Sequence, residues 1–389
     1  MIDLLRNLKI LDFSGLLPGP YATMMLADLG AEVLRVESPT RPDLIRTFGG
    51  KNFAAHGFLN RSKRSIALDL KKVESIEIVK NLVKEYDIVL EQFRPGVMER
   101  LGLGYEVLKE ANPQLIYCSL TGFGQTGPYR NRPGHDINYL SIAGLADYSR
   151  RKGERPTPQA VQIADVAGGS LHTVIGILTA VLHRAQTGEG QSIDVSMTDA
   201  AFALNALFGP GYLVDGVEPK AERMMLNGGS YYDYFETKDG RYFSVGSVEP
   251  AFRKQLCEAI GHPELLSVAM SQAPADMHSF TERLKKAFLS KTYDEWLPIF
   301  EEFQACVEPV LPFSEACGHP QIKAREMVIE VPKSDGTSQS QIAHPIKFSK
   351  GSPSYKHVGG KLGEDTVDVF EALGYSEEQI AELKEKGVF

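Results

Sequence analysis

Lys9-Ile-Leu-Asp-Phe13, Gly15-Leu-Leu-Pro-Gly-Pro20, Tyr21 to Gly30 and Ala31-Glu-Val-Leu-Arg-Val-Glu37 make up the stretch from which the fold follows. The first run is short and largely apolar and reads as a strand. Gly15 to Pro20 reads as a loop. Tyr21 to Leu29 carries apolar residues at helical spacing, and Gly30 stops it. Ala31 to Glu37, rich in Val and Leu, reads as a second strand. Strand, helix and strand form a βαβ unit, because two parallel strands need a crossover between them.

Working outward, the alternation recurs. Ser65 to Leu70 reads as a strand, Val73 to Glu85 as an amphipathic helix and Asp87 to Glu91 as a strand. A helical piece begins near Gly96, and Gln114 to Leu120 is a further strand. The pattern predicts an α/β fold with a Rossmann-like, doubly wound parallel sheet. In such sheets ligands lie beyond the carboxyl ends of the strands, so the loops after Phe13, Glu37, Glu91 and Leu120 are the expected site walls. Asp165 to Gln186 is the longest expected helix, with Leu171, Val174, Ile175, Leu178, Val181 and Leu182 as its apolar stripe. His183 and Arg184 fall in its last turn, and Gly188 ends it. Gln191 to Met197 follows as a strand.

Residues from about 200 to 225 lose clear periodicity. Tyr231 to Glu236 and Tyr242 to Gly246 then read as a hairpin about Asp239-Gly240, with helical segments near 250–261 and 279–303. The expected division is a large α/β domain over 1–200, a crossover over 201–225 and a smaller α+β domain over 226–330. A return linker and C-terminal helices over 331–389 are expected to pack on the large domain.

The chain has 389 residues, 43% hydrophobic and 24% charged, which is the composition of an ordinary globular protein. Its net charge of -8 argues against general nucleic-acid affinity. Cations nevertheless concentrate between Arg35 and Lys72, through Arg41, Arg46, Lys51, Arg61, Lys63, Arg64 and Lys71, which leaves room for an anionic ligand. Cys118, Cys257, Cys306 and Cys317 show no CxxC spacing, so neither a zinc site nor a redox dithiol is indicated, and Cys118 reads as core. Met1 to Arg6 carries an early acid and no extended apolar segment, unlike a signal peptide. No run is expected to approach a membrane span. A cytoplasmic location, with no membrane partner, is the expectation. No short-period repeat or low-complexity tract is present.

Gly134-His135-Asp136-Ile137-Asn138-Tyr139, with Asp165 downstream, carries the chemistry. One imidazole and one carboxylate, each beside glycine or small residues, suit two acid/base groups on opposite faces of a carbon acid. His135 also fits an ordinary loop histidine, although Gly134 gives its backbone freedom and Asp136 stands ready to orient it. Asp165 also fits a helix N-cap, a position that favours the carboxylate form a base needs. Gly168 and Gly169 weaken the helix and imply the close approach of something. His172 and His183 read as structural.

Glu249, in Ser247-Val-Glu-Pro250, fits either a plain helix-start acid or a group that fixes a histidine tautomer. Gly122-Phe-Gly124-Gln-Thr-Gly127 matches GxGxxG after a strand, but Pro128 and Pro133 block the helix that dinucleotide binding requires. A backbone that approaches a ligand closely is compatible with it. Arg61, Lys63, Arg94 and Arg100 lie near predicted strand ends, either as solvated surface or as phosphate ligands.

Together these segments resemble the family III CoA-transferases and the α-methylacyl-CoA racemases that share their fold. The likeness runs through Leu16-Leu-Pro-Gly-Pro20, Ala27-Asp-Leu-Gly-Ala31, Asn60-Arg61, Arg94-Pro-Gly-Val97, Thr121 to Pro128, Gly134 to Tyr139 and Thr187-Gly-Glu-Gly-Gln191. It implies a large and a small domain and a homodimer whose chains interlock like links.

In the transferase branch the aspartate matching Asp165 attacks the acyl thioester and forms an anhydride. The racemase branch adds the histidine matching His135 and a glutamate, matching Glu249, bonded to it. Transferases often carry four glycines in the small-domain loop, where Asn227-Gly228-Gly229-Ser230 has two. The racemase branch is therefore the expectation: epimerisation of 2-methylacyl-CoA or a similar thioester, in lipid metabolism, with an acyl-CoA as the partner. A backbone N–H at the start of the Asp165 helix is the expected enolate donor, with neutral His135 and ionised Asp165 at rest. CoA is part of the substrate, and no metal or redox cofactor is called for.

The resemblance assigns CoA contacts to Leu16, Arg61, Lys63, Gln92, Phe93, Arg94, Arg100 and Tyr139. Some racemases place a phosphate-binding arginine where this chain has Ser38, and Arg41 is the available substitute. A CoA-transferase and a non-catalytic acyl-CoA-binding protein are the alternative functions.

Overall fold

The computed structural model describes residues 4–47 and 54–389, so Lys51 of the cationic stretch and Met1, Ile2 and Asp3 of the chain start lie outside the described residues. The chain divides into two compact units. One takes the chain up to Ala143, then Gln159–Leu204 and Pro320–Phe389; the other takes Gly144–Pro158 and Asn205–His319.

In the first unit β1 (Lys9–Phe13), β2 (Glu32–Glu37), β3 (Arg64–Ala67), β4 (Ile88–Glu91), β5 (Ile116–Thr121) and β6 (Gln191–Ser196) form one sheet, in the order β3-β2-β1-β4-β5-β6. Every neighbouring pair is parallel, and Ile10 stands between Val33 and Ile88. The order reverses between β1 and β4, which is where doubly wound sheets open a crevice. Ile10, Leu11, Leu34, Ile88, Val89, Leu90 and Ile116 are completely buried. Strands covered on both faces need such runs, and each side chain contributes about 1.5–3 kcal/mol. Cys118 lies in this core, as expected.

The helices of this unit are α1 (Pro18–Asp28), α2 (Ala54–Leu59), α3 (Val73–Leu82), α4 (Val97–Arg100), α5 (Tyr105–Ala111) and α6 (Asp136–Ile142). A short α7 (Leu145–Tyr148) belongs to the second unit. The first unit resumes with α8 (Leu171–Thr187) and α9 (Met197–Ala203). Helix α1 begins three residues before the expected Tyr21, because Pro18 takes the first turn, where a missing N–H costs nothing. No helix opens at Gly127; both Gly124 and Gly127 have positive φ, and the next helix waits until Asp136.

The expected Asp165–Gln186 helix is not uniform. Ala164–Ser170 is π-helical and runs directly into α8. The apolar stripe expected along α8 is also not its buried face. Thr173, Ile177 and Ala180 point inward, whereas Leu171, Ile175 and Leu182 are exposed. Small residues let the helix approach the sheet; a Cβ on Gly176 would already stand 3.3 Å from Ile193 Cγ2. Ala164–Thr187 contains an 18-residue window, 33% buried, and its mean hydropathy of 1.5 meets the length and composition of a membrane span. That corrects the expectation that no run approaches one.

The second unit contains β7 (Asp233–Glu236), β8 (Tyr242–Val245) and β9 (Val307–Pro309), antiparallel with β8 in the middle. Phe235, Phe243, Phe280, Phe288 and Trp296 fill its core, and Trp296 Nε1 donates to Phe288 O at 3.0 Å. The helix expected over 279–303 is two, Pro274–Phe288 and Tyr293–Glu302. Thr292 caps the second, since its Oγ1 accepts from the Glu295 N–H at 3.4 Å and its own N–H donates to Glu295 Oε2 at 2.8 Å. The stretch without periodicity holds the helix Gly209–Asp215, entered at Pro210 and ended by Gly216 with φ 69°.

Pro320–Phe389 returns to the first unit. There β10 (Val328–Pro332) and β11 (Ser338–Ile342) form an antiparallel ribbon. Helices Thr366–Ala372 and Glu377–Glu385 put Val369, Phe370, Ile380 and Leu383 into the same core as Leu34 and Val79.

Candidate active site

His135 is exposed at the N-cap of α6, and its N–H donates to Asn138 Oδ1 at 3.0 Å. Asp136, the next residue, is buried, and its Oδ1 accepts from the Asp165 N–H at 3.0 Å. That bond fastens the start of α6 to the π segment and gathers His135 and Asp165 into one locality. Tyr139, one turn along α6, is buried; its OH donates to Gly134 O at 2.6 Å, and its ring meets Phe123 edge-on at 5.2 Å. A Cβ on Gly122 would stand 2.5 Å from Tyr139 Oη, and one on Gly134 2.7 Å from its Cε1. Glycine at both positions makes room for the ring.

Asp165 sits inside the π turn and is not its N-cap; that position is Ile163, which makes no side-chain cap. The turn is anchored instead by Ser170 Oγ, which donates to Pro18 O at 2.7 Å. Gly168 and Gly169 mark a close approach, as expected: added Cβ atoms would stand 3.3 Å from Met197 O and 3.0 Å from Met197 Cγ. Burial, then the Asp136 carboxylate, pushes the Asp165 carboxyl up to about 7. The expectation of a simply ionised Asp165 is corrected, because no cation or side-chain cap offsets its desolvation. Burial, then the charge of Asp165, pushes the Tyr139 phenol up to about 12.

The expected enolate donor also needs correction. The Asp165 N–H is given to Asp136, and the Val166 N–H donates to Gln162 O at 2.9 Å.

A cavity of about 530 Å³ opens beyond the carboxyl ends of β1, β2 and β4, at the reversal of strand order. Leu16, Gln92 and Phe93 line it, with Ser38 and Arg41 beside each other; the Arg41 N–H donates to Ser38 Oγ at 3.2 Å. Leu16 has φ 59°, held by its N–H donating to Asp43 Oδ2 at 2.9 Å. Arg35 also lines the cavity. It is 1% exposed, pairs with Asp43 at 2.5 Å and Glu37 at 3.4 Å, and leaves Nη1 without a hydrogen-bond partner among the described residues. A buried guanidinium with a free donor suits an anionic group. Sequence reasoning took Arg35 only as the start of the cationic stretch and missed Asp43; the further signal was a lone arginine inside the apolar run Val33 to Val36. Glu91, at the end of β4 just before Gln92, is buried, and burial pushes it up to about 7; its Oε2 accepts from the Phe93 N–H at 2.8 Å.

Arg61 and Lys63 are not at this cavity, which corrects both assignments. Arg61 is fully buried, bonded to both Asp28 oxygens at 2.8 and 2.6 Å and to Ile342 O at 2.7 Å. Lys63 is buried on Thr23 Oγ1 at 2.7 Å, Pro20 O at 2.9 Å and Asp12 Oδ2 at 3.3 Å, and burial lowers it to about 8. Asp12 and Asp28 lie inside β1 and α1, so their burial demands internal cations. Arg94 and Arg100 are exposed at either end of the α4 turn and do not line the cavity. Glu249 is exposed in the second unit, at the N-cap of the helix Pro250–Ala259. Among the described residues, no group of three or more His, Cys, Asp or Glu side chains is placed to hold a metal ion.

The model of CoA-transferase family III matches residues 5–366. The chain belongs to CoA-transferase family III. Within that family it is 36% identical to the alpha-methylacyl-CoA racemase of Homo sapiens, over 97% of this chain and 96% of that protein. It is equally, 36%, identical to an acyl-CoA transferase of Fusarium pseudograminearum, over 99% of this chain and 88% of that protein. Identity alone therefore does not choose between the reactions of the family. Its fold is similar to that of a CAIB/BAIF family protein from Brucella suis, with a TM-score of 0.81 and 32% identity over 94% of this chain and 98% of that one.

Proposed function

We propose that this family III member is an epimerase of 2-methylacyl-CoA or similar 2-substituted acyl-CoA thioesters, acting by 1,1-proton transfer through an enolate. The observation that supports the reading is the Asp136–Asp165 bond, which ties the GHDINY segment to the backbone of a residue whose carboxyl titrates near neutrality. The thioester carbonyl acidifies the α-hydrogen. His135 removes it from one face, and protonated Asp165 delivers a proton to the other; the roles exchange for the opposite enantiomer. A carboxyl near 7 holds both forms at neutral pH, as reversible chemistry in both directions needs. Two such groups supply about 10²–10⁴-fold each, so enolate stabilisation must supply the remainder.

In this reading the nucleotide of CoA enters the cavity at Leu16, Gln92 and Phe93. The chemistry runs on side chains and the thioester itself, without a metal or redox group. The working form is an interlocked homodimer; exposed Leu213 and Val214 on one short helix support a partner-covered surface. Four free cysteines accord with a reducing cytoplasm, where we place it. Branched acyl chains assign it to lipid metabolism.

The test is incubation of an enantiopure 2-methylacyl-CoA in deuterium oxide, with and without an acid acceptor. Deuterium entering C2 without acceptor is the expected result, and His135→Ala is expected to suppress entry from the S-substrate. Unchanged entry in that variant excludes His135 as the base. The similarity to an acyl-CoA transferase supports a second reading, in which Asp165 attacks the thioester and forms an acyl anhydride. Acceptor-dependent CoA transfer, with hydroxylamine capture of acylated Asp165, is its signature.

A further inference from the structure

We propose that Asp136 is a positioning residue for Asp165: its side chain caps the turn that presents Asp165, and its charge sets the protonation state in which Asp165 meets substrate. The inference rests on the epimerase reading above. The π turn has no cap of its own, since Ile163 contributes no side-chain acceptor. An uncapped first turn leaves backbone N–H groups without partners. Asp136 reaches from a different element and takes the N–H of Asp165 itself, at 3.0 Å, with its own side chain buried. The residue that bears the reacting carboxyl is thus held by the residue next to His135, and the two ends of the proton path share one support.

Asp136 also acts on Asp165 through its charge, so a second carboxyl group stands near the half-buried Asp165 carboxyl. Two carboxyl groups so placed do not both ionise freely. Other titratable groups stand on the elements packed against the turn: Tyr21 on α1, His135 and Tyr139 at α6, His172 on α8, Asp194 on β6 and Asp199 on α9. His172 Nδ1 is engaged by Ala167 O at 2.9 Å, and Asp194 Oδ2 accepts from the Gln125 N–H at 2.9 Å. After burial, Asp136 is the group that acts on Asp165.

Asp136→Asn keeps an oxygen for the Asp165 amide and removes the charge; Asp136→Ala removes both. The readouts are the carboxyl titration of Asp165, by carbon-13 NMR of aspartate-labelled full-length protein assigned with Asp165→Asn, and the pH profile of deuterium entry into each enantiomer. In Asp136→Asn the Asp165 midpoint is expected to fall by roughly one to two pH units while staying above an ordinary carboxyl, because burial persists, and the matching limb of the rate profile moves with it. In Asp136→Ala deuterium entry is expected to fall about 10²-fold through misplacement. An unmoved midpoint in Asp136→Asn overturns the proposal, and this variant decides the matter if Asp136→Ala does not fold. Wild-type protein that exchanges no α-hydrogen sinks the epimerase reading, while the NMR titration still judges Asp136.

Discussion

At the residue scale, burial controls the charges of this protein. Glu91 at the end of β4 is the clearest case, because burial raises it from about 4.5 to about 7. Between those values the folded protein keeps a proton that the unfolded chain has released. Stability from this group is therefore full below about pH 4.5 and lost as pH rises through about 7, by about 3 kcal/mol. Glu91→Gln keeps an acceptor for the Phe93 amide and abolishes that dependence. Urea unfolding at pH 4 and pH 8 should show the variant gaining about 3 kcal/mol relative to wild type across the interval. An equal difference at both pH values would place the Glu91 proton elsewhere. The same principle explains which site residues could be read. His135 and Asp165 stand in unusual local settings and show themselves. Asn60-Arg-Ser-Lys63 looks like surface and is core, because the carboxylates that require those cations, Asp12 and Asp28, are distant in the chain. Asp136 was legible only as a neighbour of His135; its partner is an amide 29 positions away, which no local pattern marks.

At the scale of elements, the parallel strands were legible because double-sided burial writes nearly continuous apolar runs. Helix starts and faces were less so. Pro18 and Pro20 suggest a loop, although proline fits a first helical turn. The π turn is announced solely by Gly168 and Gly169, and its close neighbour Met197 becomes adjacent only after folding. Packing between elements now sets a test at the opposite wall. The Tyr139 ring is held by Gly134 O and by Phe123, so it cannot retreat from a methyl group at Gly122, 2.5 Å from its Oη. Gly122→Ala should cost about 1–3 kcal/mol by overpacking and should reduce deuterium entry at C2 as α6 shifts. A variant with wild-type stability and rate would show that the ring moves freely.

At the scale of the whole molecule, the first unit is assembled from three separated lengths of chain, with most of the second unit lying between the last two. The change of texture near Tyr231 disclosed a second core. It did not disclose that Gly144–Pro158 joins that unit, since this short polar stretch has no apolar pattern to assign it. Phe370 is fully buried in the core that also contains Leu34 and Val79. Phe370→Ala should lower stability by about 3–5 kcal/mol, read as a drop in the unfolding midpoint of the first unit. Loss confined to the second unit would contradict the shared core. The arrangement bears on biosynthesis. A ribosome releases β1 to β6 long before it makes Phe370, Ile380 and Leu383, so the nascent sheet must wait with part of its apolar surface uncovered. The aromatic core of the second unit, Tyr231 to Val307, is translated entirely within that interval. Completion of the first unit's core is thus tied to the synthesis of the helices Thr366–Ala372 and Glu377–Glu385, and a stop codon ahead of them would deliver an open, aggregation-prone sheet.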